Sequence, residues 1–327
     1  MKKRILSVLA LAALTVSTFV GCGSASAGST AASADGPFTV GVIQLVQHPA
    51  LDAATEGFTD ALKAEFGDNV TVDVQNAAGD SATCSTIANT FASQNVNLIM
   101  ANATASLQAA TAATNTIPVL GTSITDYATA LAMDSWSGTT GINASGTSDL
   151  APLDKQADMI KELFPDAAKV GILYCTAEPN SEYQATVITG YLKDLGYEVE
   201  NFSFSDSNDI ASVAQSACDN ADVLYIPTDN TAASCAETIN SVAIAAGKPI
   251  VAGEEGICAG CGVATLSISY YDLGFTTGEM AIEILKNGAD VSKMEVKYAP
   301  AVTKKYNAAI CDTLGLTVPD DYVAIEQ

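Results

Sequence analysis

A chain of 327 residues is long enough for about two domains of ordinary size, and with 48% of it hydrophobic each can bury a core. Fourteen basic residues stand against 37 acidic ones, a formal charge of −23, and Arg4 is the only arginine. Such a surface repels nucleic acid and anionic head groups, and no basic cluster reverses it.

At the start, Lys2-Lys3-Arg4 precedes an apolar stretch from Ile5 to Val20 and then Gly21-Cys22, the basic, apolar and small segments of a secretory signal over residues 1–21. The apolar stretch of 16 residues falls short of a membrane span, which needs roughly 20. A cysteine directly after Phe19-Val20-Gly21 resembles the bacterial lipobox, in which that cysteine, Cys22, becomes the lipidated first residue. The plainer alternative is an ordinary secretory signal ending near a cysteine. Without this segment, 11 basic residues face 37 acidic ones, a formal charge of −26. Residues 22–37 are mostly Ser, Ala and Gly, which cannot bury a core and read as a flexible tether.

From Phe38 the pattern predicts strands at 39–45, 70–74, 97–101 and 117–120, with helices at 49–66, 81–94 and 106–114 between them. After a joint near 141–153 the scheme repeats, with helices at 155–163, 183–195, 209–218 and 231–245 and strands at 170–174, 198–202, 223–226 and 249–252. A strand at 264–268, a helix at 273–286 and a strand near 295–298 close it. Buried strands alternating with helices of this length make right-handed βαβ units on parallel sheets. The expected fold is α/β, two doubly wound parallel-sheet lobes joined by a hinge of three crossing segments. The N-terminal lobe takes 38–150 and about 268–292; the C-terminal lobe takes 151–267 and about 293–327. Ligands of open α/β sheets bind beyond the carboxyl ends of the strands, so the site belongs in the cleft between the lobes, and closure is the expected motion.

The loops after the strands supply the candidates. The first lobe offers Gln44, Gln47, His48 and Pro49, then Asn102 and Thr104, then Thr122, Ser123, Thr125 and Asp126. The second offers Glu178, Asn180 and Ser181, then Thr228, Asp229 and Asn230, then Glu254 and Glu255, with Tyr270 and Tyr271 after the crossover. No arginine fork is present to clamp a phosphate or dicarboxylate. The set suits a zwitterion, its carboxylate on helix N-termini and hydroxyls, its ammonium on Asp229 or Glu255. Each residue also has a plainer role: Asn180 or Ser181 as the N-cap of the helix that follows, Asp229 as another cap, His48 as packing between the lobes.

Seven cysteines follow Cys22, and Cys258-Ala-Gly-Cys261 is their close pair. A redox motif of this spacing opens a helix, whereas 262–266 reads as a strand. Zinc would need two further ligands, and His48 is the only histidine. A local disulfide or two inert thiols fit better. Dinucleotide, phosphate-loop and nucleophile-elbow motifs are absent, so no cofactor, metal or catalysis is expected.

Several short pieces occur in a telling order. They are Ile43-Gln44, His48-Pro49-Ala50-Leu51-Asp52, Ile124-Thr125-Asp126, and Gly146-Thr147-Ser148-Asp149 with Lys155-Gln156. Glu178-Pro179-Asn180-Ser181, Pro227-Thr228-Asp229-Asn230-Thr231, Ala252-Gly253-Glu254-Glu255 and Tyr270-Tyr271-Asp272-Leu273-Gly274 follow. Over nearly all of 38–319 the chain thus resembles the type I substrate-binding lipoproteins of ABC importers, in the tryptophan/tyrosine-binding group. The resemblance implies a monomeric, lipid-anchored receptor on the outer face of the membrane. It would capture an amino acid, most often an aromatic one, and deliver it to the transmembrane subunits of an ABC permease. Carried over by residue, Asn180, Ser181 and Thr104 hold the carboxylate and Asp229 the amine. Gln44, His48, Thr125 and Glu255 line the pocket, with Asp126, Asn230 and Tyr270 beside them. Two departures bear on the ligand's side chain: Ser269 stands where the family has Asp, and Tyr127 where Pro is usual. The alternatives are a receptor for a nucleoside or other small signal molecule on the same fold, and a secreted enzyme.

Overall fold

The computed structural model describes residues 36–299 and 301–326. The signal segment, Cys22 and the tether through residue 35 lie outside the described residues. Thirteen strands run in chain order: β1 (Phe38–Gln44), β2 (Val70–Asn76), β3 (Leu98–Asn102), β4 (Val119–Ile124), β5 (Ala144–Ser148), β6 (Lys169–Cys175), β7 (Glu198–Phe204), β8 (Val223–Ile226), β9 (Ile250–Ala252), β10 (Ala264–Ser267), β11 (Lys297–Tyr298), β12 (Thr303–Tyr306) and β13 (Val323–Ala324). Twelve α-helices accompany them: α1 (Pro49–Phe66), α2 (Ser81–Gln94), α3 (Thr104–Ala113), α4 (Tyr127–Ala130), α5 (Leu153–Leu163), α6 (Pro179–Asp194), α7 (Ile210–Asn220), α8 (Asn230–Ser234), α9 (Ala236–Ala246), α10 (Glu255–Cys261), α11 (Tyr270–Asn287) and α12 (Ala308–Leu314).

Two sheets organise these elements. The first has the order β11-β5-β4-β3-β1-β2 and the second β13-β12-β10-β9-β8-β6-β7. Every pairing is parallel except that of β10 with β12. In each lobe the first strand lies between the second and the third, so the order reverses beside β1 and again beside β6, the two places where a doubly wound sheet opens a crevice. Central strands β3 and β4 are buried throughout, whereas the edge strand β2 is mostly exposed. Each sheet carries an apolar layer on both faces, as parallel sheets require.

Helix α11, encoded after the second lobe, packs on α1 of the first, beneath β4 and β5. Gly274 permits this approach, because a Cβ there would sit 1.9 Å from the carbonyl oxygen of Ala54. The Thr277 and Thr147 hydroxyls, 2.9 Å apart, tie α11 to β5. The chain passes between the sheets after β5, after β10 and after β11. Lys297 and Tyr298 pair with Thr147 and Ser148 in the first sheet, so the last passage falls after Tyr298 rather than near residue 292.

Further differences from expectation have local causes. Residues 144–148, expected as part of a linker, form a buried strand whose small residues leave room for a neighbour. Tyr127 lies there, its hydroxyl donating toward the carbonyls of Gly121, Ser145 and Thr147 at 3.0 to 3.3 Å. A Cβ on Gly146 would meet that hydroxyl at 2.4 Å. Helix α6 begins at Pro179, with Glu178 at the N-cap, so Asn180 and Ser181 lie inside its first turn rather than capping it. The expected helix over 231–245 breaks at Cys235 into α8 and α9. Cys258 and Cys261 close α10 as buried free thiols, both pushed upward in pKa by burial. No helix among the described residues is long and apolar enough to cross a membrane.

Candidate functional site

The first lobe brings its site residues in on strand ends. At the end of β1, the Gln44 amide donates to Val46 O at 3.0 Å and to Asp52 Oδ1 at 2.6 Å, and accepts from Thr55 at 2.7 Å. Asn102, ending β3, donates to Leu51 O at 2.8 Å. These bonds hold the loop that delivers His48, the extended N-cap residue of α1. Beyond β3, Ala103 sits at φ +89°, and near the end of β4, Ser123 sits at φ +56°. Backbone held in such regions by non-glycine residues is costly and marks a constrained edge.

The second lobe presents a web built on two carboxylates. Glu178 Oε2 accepts from Asn230 N at 3.0 Å, Asn230 Nδ2 at 2.7 Å and Asn180 Nδ2 at 3.2 Å, while Oε1 accepts from the Thr231 N–H and hydroxyl at 2.8 and 2.7 Å. Asp229 caps α8 through Ala232 N at 2.8 Å and takes Cys175 N at 2.7 Å on its other oxygen. Burial raises its carboxyl, and the neighbouring Glu178 charge adds to that rise.

Between the lobes lies a narrow, nearly closed cavity of about 10 Å³, far below the usual range for small-molecule sites, so its walls must part to admit a ligand. His48, Leu51, Ser123, Thr125, Asp149, Asn180, Thr228, Asp229, Asn230, Ala233, Glu254 and Tyr270 line it. His48 Nε2 and Asn230 Oδ1 meet across it at 3.3 Å. Three buried polar atoms on its walls have no partner: His48 Nδ1, Ser123 Oγ and Asp149 Oδ1. The other Asp149 oxygen accepts from the Tyr270 hydroxyl at 2.9 Å. Glu254 caps α10 through Gly256 N at 2.6 Å and Ile257 N. Burial pushes Asp149 up to about 6 and Glu254 up to about 7. Neither lysine nor arginine is among the lining residues, so the acids are gathered without a cation.

Of the expected residues, His48, Thr125, Asn180, Asp229, Asn230 and Tyr270 meet in this cavity. Thr104 is buried in the first turn of α3 and Ser181 within α6, behind the wall. Asp126 caps α4 through Thr129 N at 2.7 Å, and Gln44 is spent on its own loop. Glu255 is turned away onto Lys305, 2.8 Å distant, in a wider groove. Tyr127 is core, and Ser269 caps α11 through Asp272 N at 3.1 Å, a role Asp fills equally well, so neither departure reaches the cavity. Ser123, Thr228 and Glu254 also line the cavity, loop candidates to which the resemblance assigned no role, whereas Asp149 was not a candidate because the small residues of β5 carry no strand pattern.

A cavity between two doubly wound lobes, with polar walls supplied by both, defines a two-lobed solute-binding protein of the type I periplasmic-binding fold. The chain belongs to the ABC transporter substrate binding protein family, whose model matches residues 39–326. It is 39% identical over 293 residues to the tyrosine-binding protein of Clostridioides difficile (strain R20291), covering 87% of this chain and 84% of that one. It is similar to the ABC domain in complex with L-Trp from Streptococcus pneumoniae at 32% identity and TM-score 0.82, over 86% of this chain and 96% of that one. It is also similar to the ligand-free, open structure of a substrate binding protein with adhesive properties from Clostridium difficile. There the identity is 37% and the TM-score 0.66, over 88% of this chain and 100% of that one.

Proposed function

We propose that the protein is the lipid-anchored, extracytoplasmic receptor of an ABC importer and takes a free aromatic amino acid into the cleft between its lobes. The carrying observation is a buried cavity in which Asp149, Asp229 and Glu254 meet with no lysine or arginine among its lining residues. An ammonium group relieves that arrangement, and a neutral ligand does not. Asp149 Oδ1 is the acceptor open to it, since both Asp229 oxygens already take backbone N–H groups. The ligand's carboxylate then falls to the N-terminus of α1 and the Ser123 and Thr125 hydroxyls, not to Asn180 and Ser181, whose side chains serve the Glu178 and Asp229 web. The aromatic side chain is supported by the tyrosine-binding relative and the L-Trp complex. The lobes also superpose better on that complex than on the open structure, despite the latter's higher identity.

In this scheme one lobe captures the amino acid, the lobes close about the three passages, and the closed form docks on the permease while a lipid on Cys22 keeps it at the membrane. Thermal unfolding of protein stripped of carried-over ligand, against the twenty amino acids and a set of nucleosides, tests it. A ligand at about 100 times its Kd adds roughly 2.7 kcal/mol, a shift of several degrees. Stabilisation confined to aromatic amino acids supports the proposal, and a response to nucleosides alone removes it.

A further inference from the structure

We propose that His48 selects among aromatic amino acids: its Nδ1 is a buried acceptor that pairs with a hydrogen-bond donor on the ligand's ring, favouring tyrosine and tryptophan over phenylalanine. The inference rests on the aromatic-amino-acid reading of the cavity.

The tautomer of His48 is set by Asn230. Its Nδ2 donates to Glu178 Oε2 at 2.7 Å, and the other Glu178 oxygen is supplied by Thr231. A flipped amide would turn an oxygen toward a carboxylate, so the orientation is fixed, with Oδ1 toward His48 Nε2 at 3.3 Å. An amide oxygen only accepts, hence Nε2 carries the ring proton and Nδ1 carries the lone pair. Burial lowers the pKa of His48, against the pull of Glu178 and Asp52, and keeps the ring neutral. Nδ1 is therefore an acceptor, on a side chain only 7% exposed, without a partner, in the wall of the cavity.

Among the groups of an aromatic amino acid, few can meet it. The carboxylate brings no proton. The ammonium is drawn to a charged acceptor, and Asp149 offers an open one. The ring donor is what is left, a phenol O–H or an indole N–H. Phenylalanine has neither and leaves the acceptor buried and unmet, which is the situation in which a polar site discriminates most strongly.

The test is calorimetric titration of phenylalanine, tyrosine and tryptophan into the protein and its His48→Phe variant, with circular dichroism to verify folding. Wild-type protein is expected to bind tyrosine and tryptophan about 10- to 100-fold more tightly than phenylalanine. His48→Phe brings the three within about threefold, mainly by weakening the first two, and His48→Gln, which restores an acceptor, recovers part of the preference. Equal wild-type affinities, or a preference untouched by His48→Phe, overturns the role of His48 while leaving the aromatic reading intact. Silence toward all three amino acids removes the aromatic reading and this inference with it. Because the chain has one histidine, its imidazole nitrogens can be followed without assignment in untagged 15N-labelled wild-type protein. An Nε2–H tautomer whose Nδ1 resonance moves with tyrosine but not with phenylalanine supports the inference even if the variants fail to fold, and an Nδ1–H tautomer refutes it.

Discussion

Replacing Asp149 with Asn should move stability and affinity in opposite directions. The side chain is buried, one oxygen accepts from Tyr270 at 2.9 Å and the other is open, and burial raises its carboxyl from 3.8 to about 6. A folded-state pKa above the unfolded one means the fold prefers the protonated acid. The cost of ionisation is absent below about 4, grows between the two values, and is complete above about 6. Some two units correspond to about 3 kcal/mol at pH 7.5. Asparagine removes that burden but weakens the bond from Tyr270, for a net ligand-free gain of about 1 to 3 kcal/mol, or a few degrees of melting temperature. Tyrosine loses a desolvated ion-pair partner, about 2 to 5 kcal/mol, so its Kd rises from about 30-fold to several thousand-fold. Thermal unfolding without ligand and calorimetric titration with tyrosine at pH 7.5 read both arms. A variant that binds tyrosine within threefold of wild type would refute Asp149 as the ammonium partner. One that melts below wild type would refute the burdened carboxylate.

Other residues give independent checks. Asp149, Asp229 and Glu254 all hold protons more tightly folded than unfolded, so ligand-free melting should fall as pH rises from 5 to 8. Because an ammonium lowers these pKa values, binding should release protons near pH 6 and tighten as pH rises, which titration in two buffers of different ionisation enthalpy measures; proton uptake instead would contradict it. Glu255→Gln should leave ligand affinity within twofold, since Glu255 pairs with Lys305 away from the cavity; a large loss would return it to the site. Asp229→Ala should lower stability by about 1 to 3 kcal/mol through the lost cap and the stranded Cys175 N–H, as read by chemical denaturation. Gly146→Ala should cost more than about 3 kcal/mol, because a Cβ there meets the Gly121 carbonyl oxygen at 1.9 Å and the Tyr127 hydroxyl at 2.4 Å; near-wild-type melting would show that β4 and β5 can separate at little cost.

The alternation of apolar strands and helices was legible because parallel strands buried on both faces read as unbroken apolar runs, as at Val170 to Tyr174 and Val223 to Ile226. Where burial is achieved with small residues the signal vanishes: Ala144-Ser-Gly-Thr-Ser148 carries no strand pattern, yet it is a buried strand and positions Asp149. Strand ends located the cleft, since β1, β6 and β8 deliver His48, Asn180 and Asp229 to one cavity. Orientation was beyond the reach of sequence. Glu254 and Glu255 are adjacent, but Glu254 lines the cavity and Glu255 reaches Lys305, a choice set by the start of α10 and the pairing of β10 with β12. Tyr127, conspicuous as an aromatic beside the site, fills the space left by Gly121 and Gly146.

The acids gathered in the cavity also bear on timing. Closing the lobes with nothing between them gathers like charges in a dry space, which disfavours an empty closed form. A ligand carrying its own positive charge cancels that bias as it enters. Under the proposed importer role, closure would report that cargo is aboard, and a permease that recognises only the closed shape would be spared visits from empty receptors.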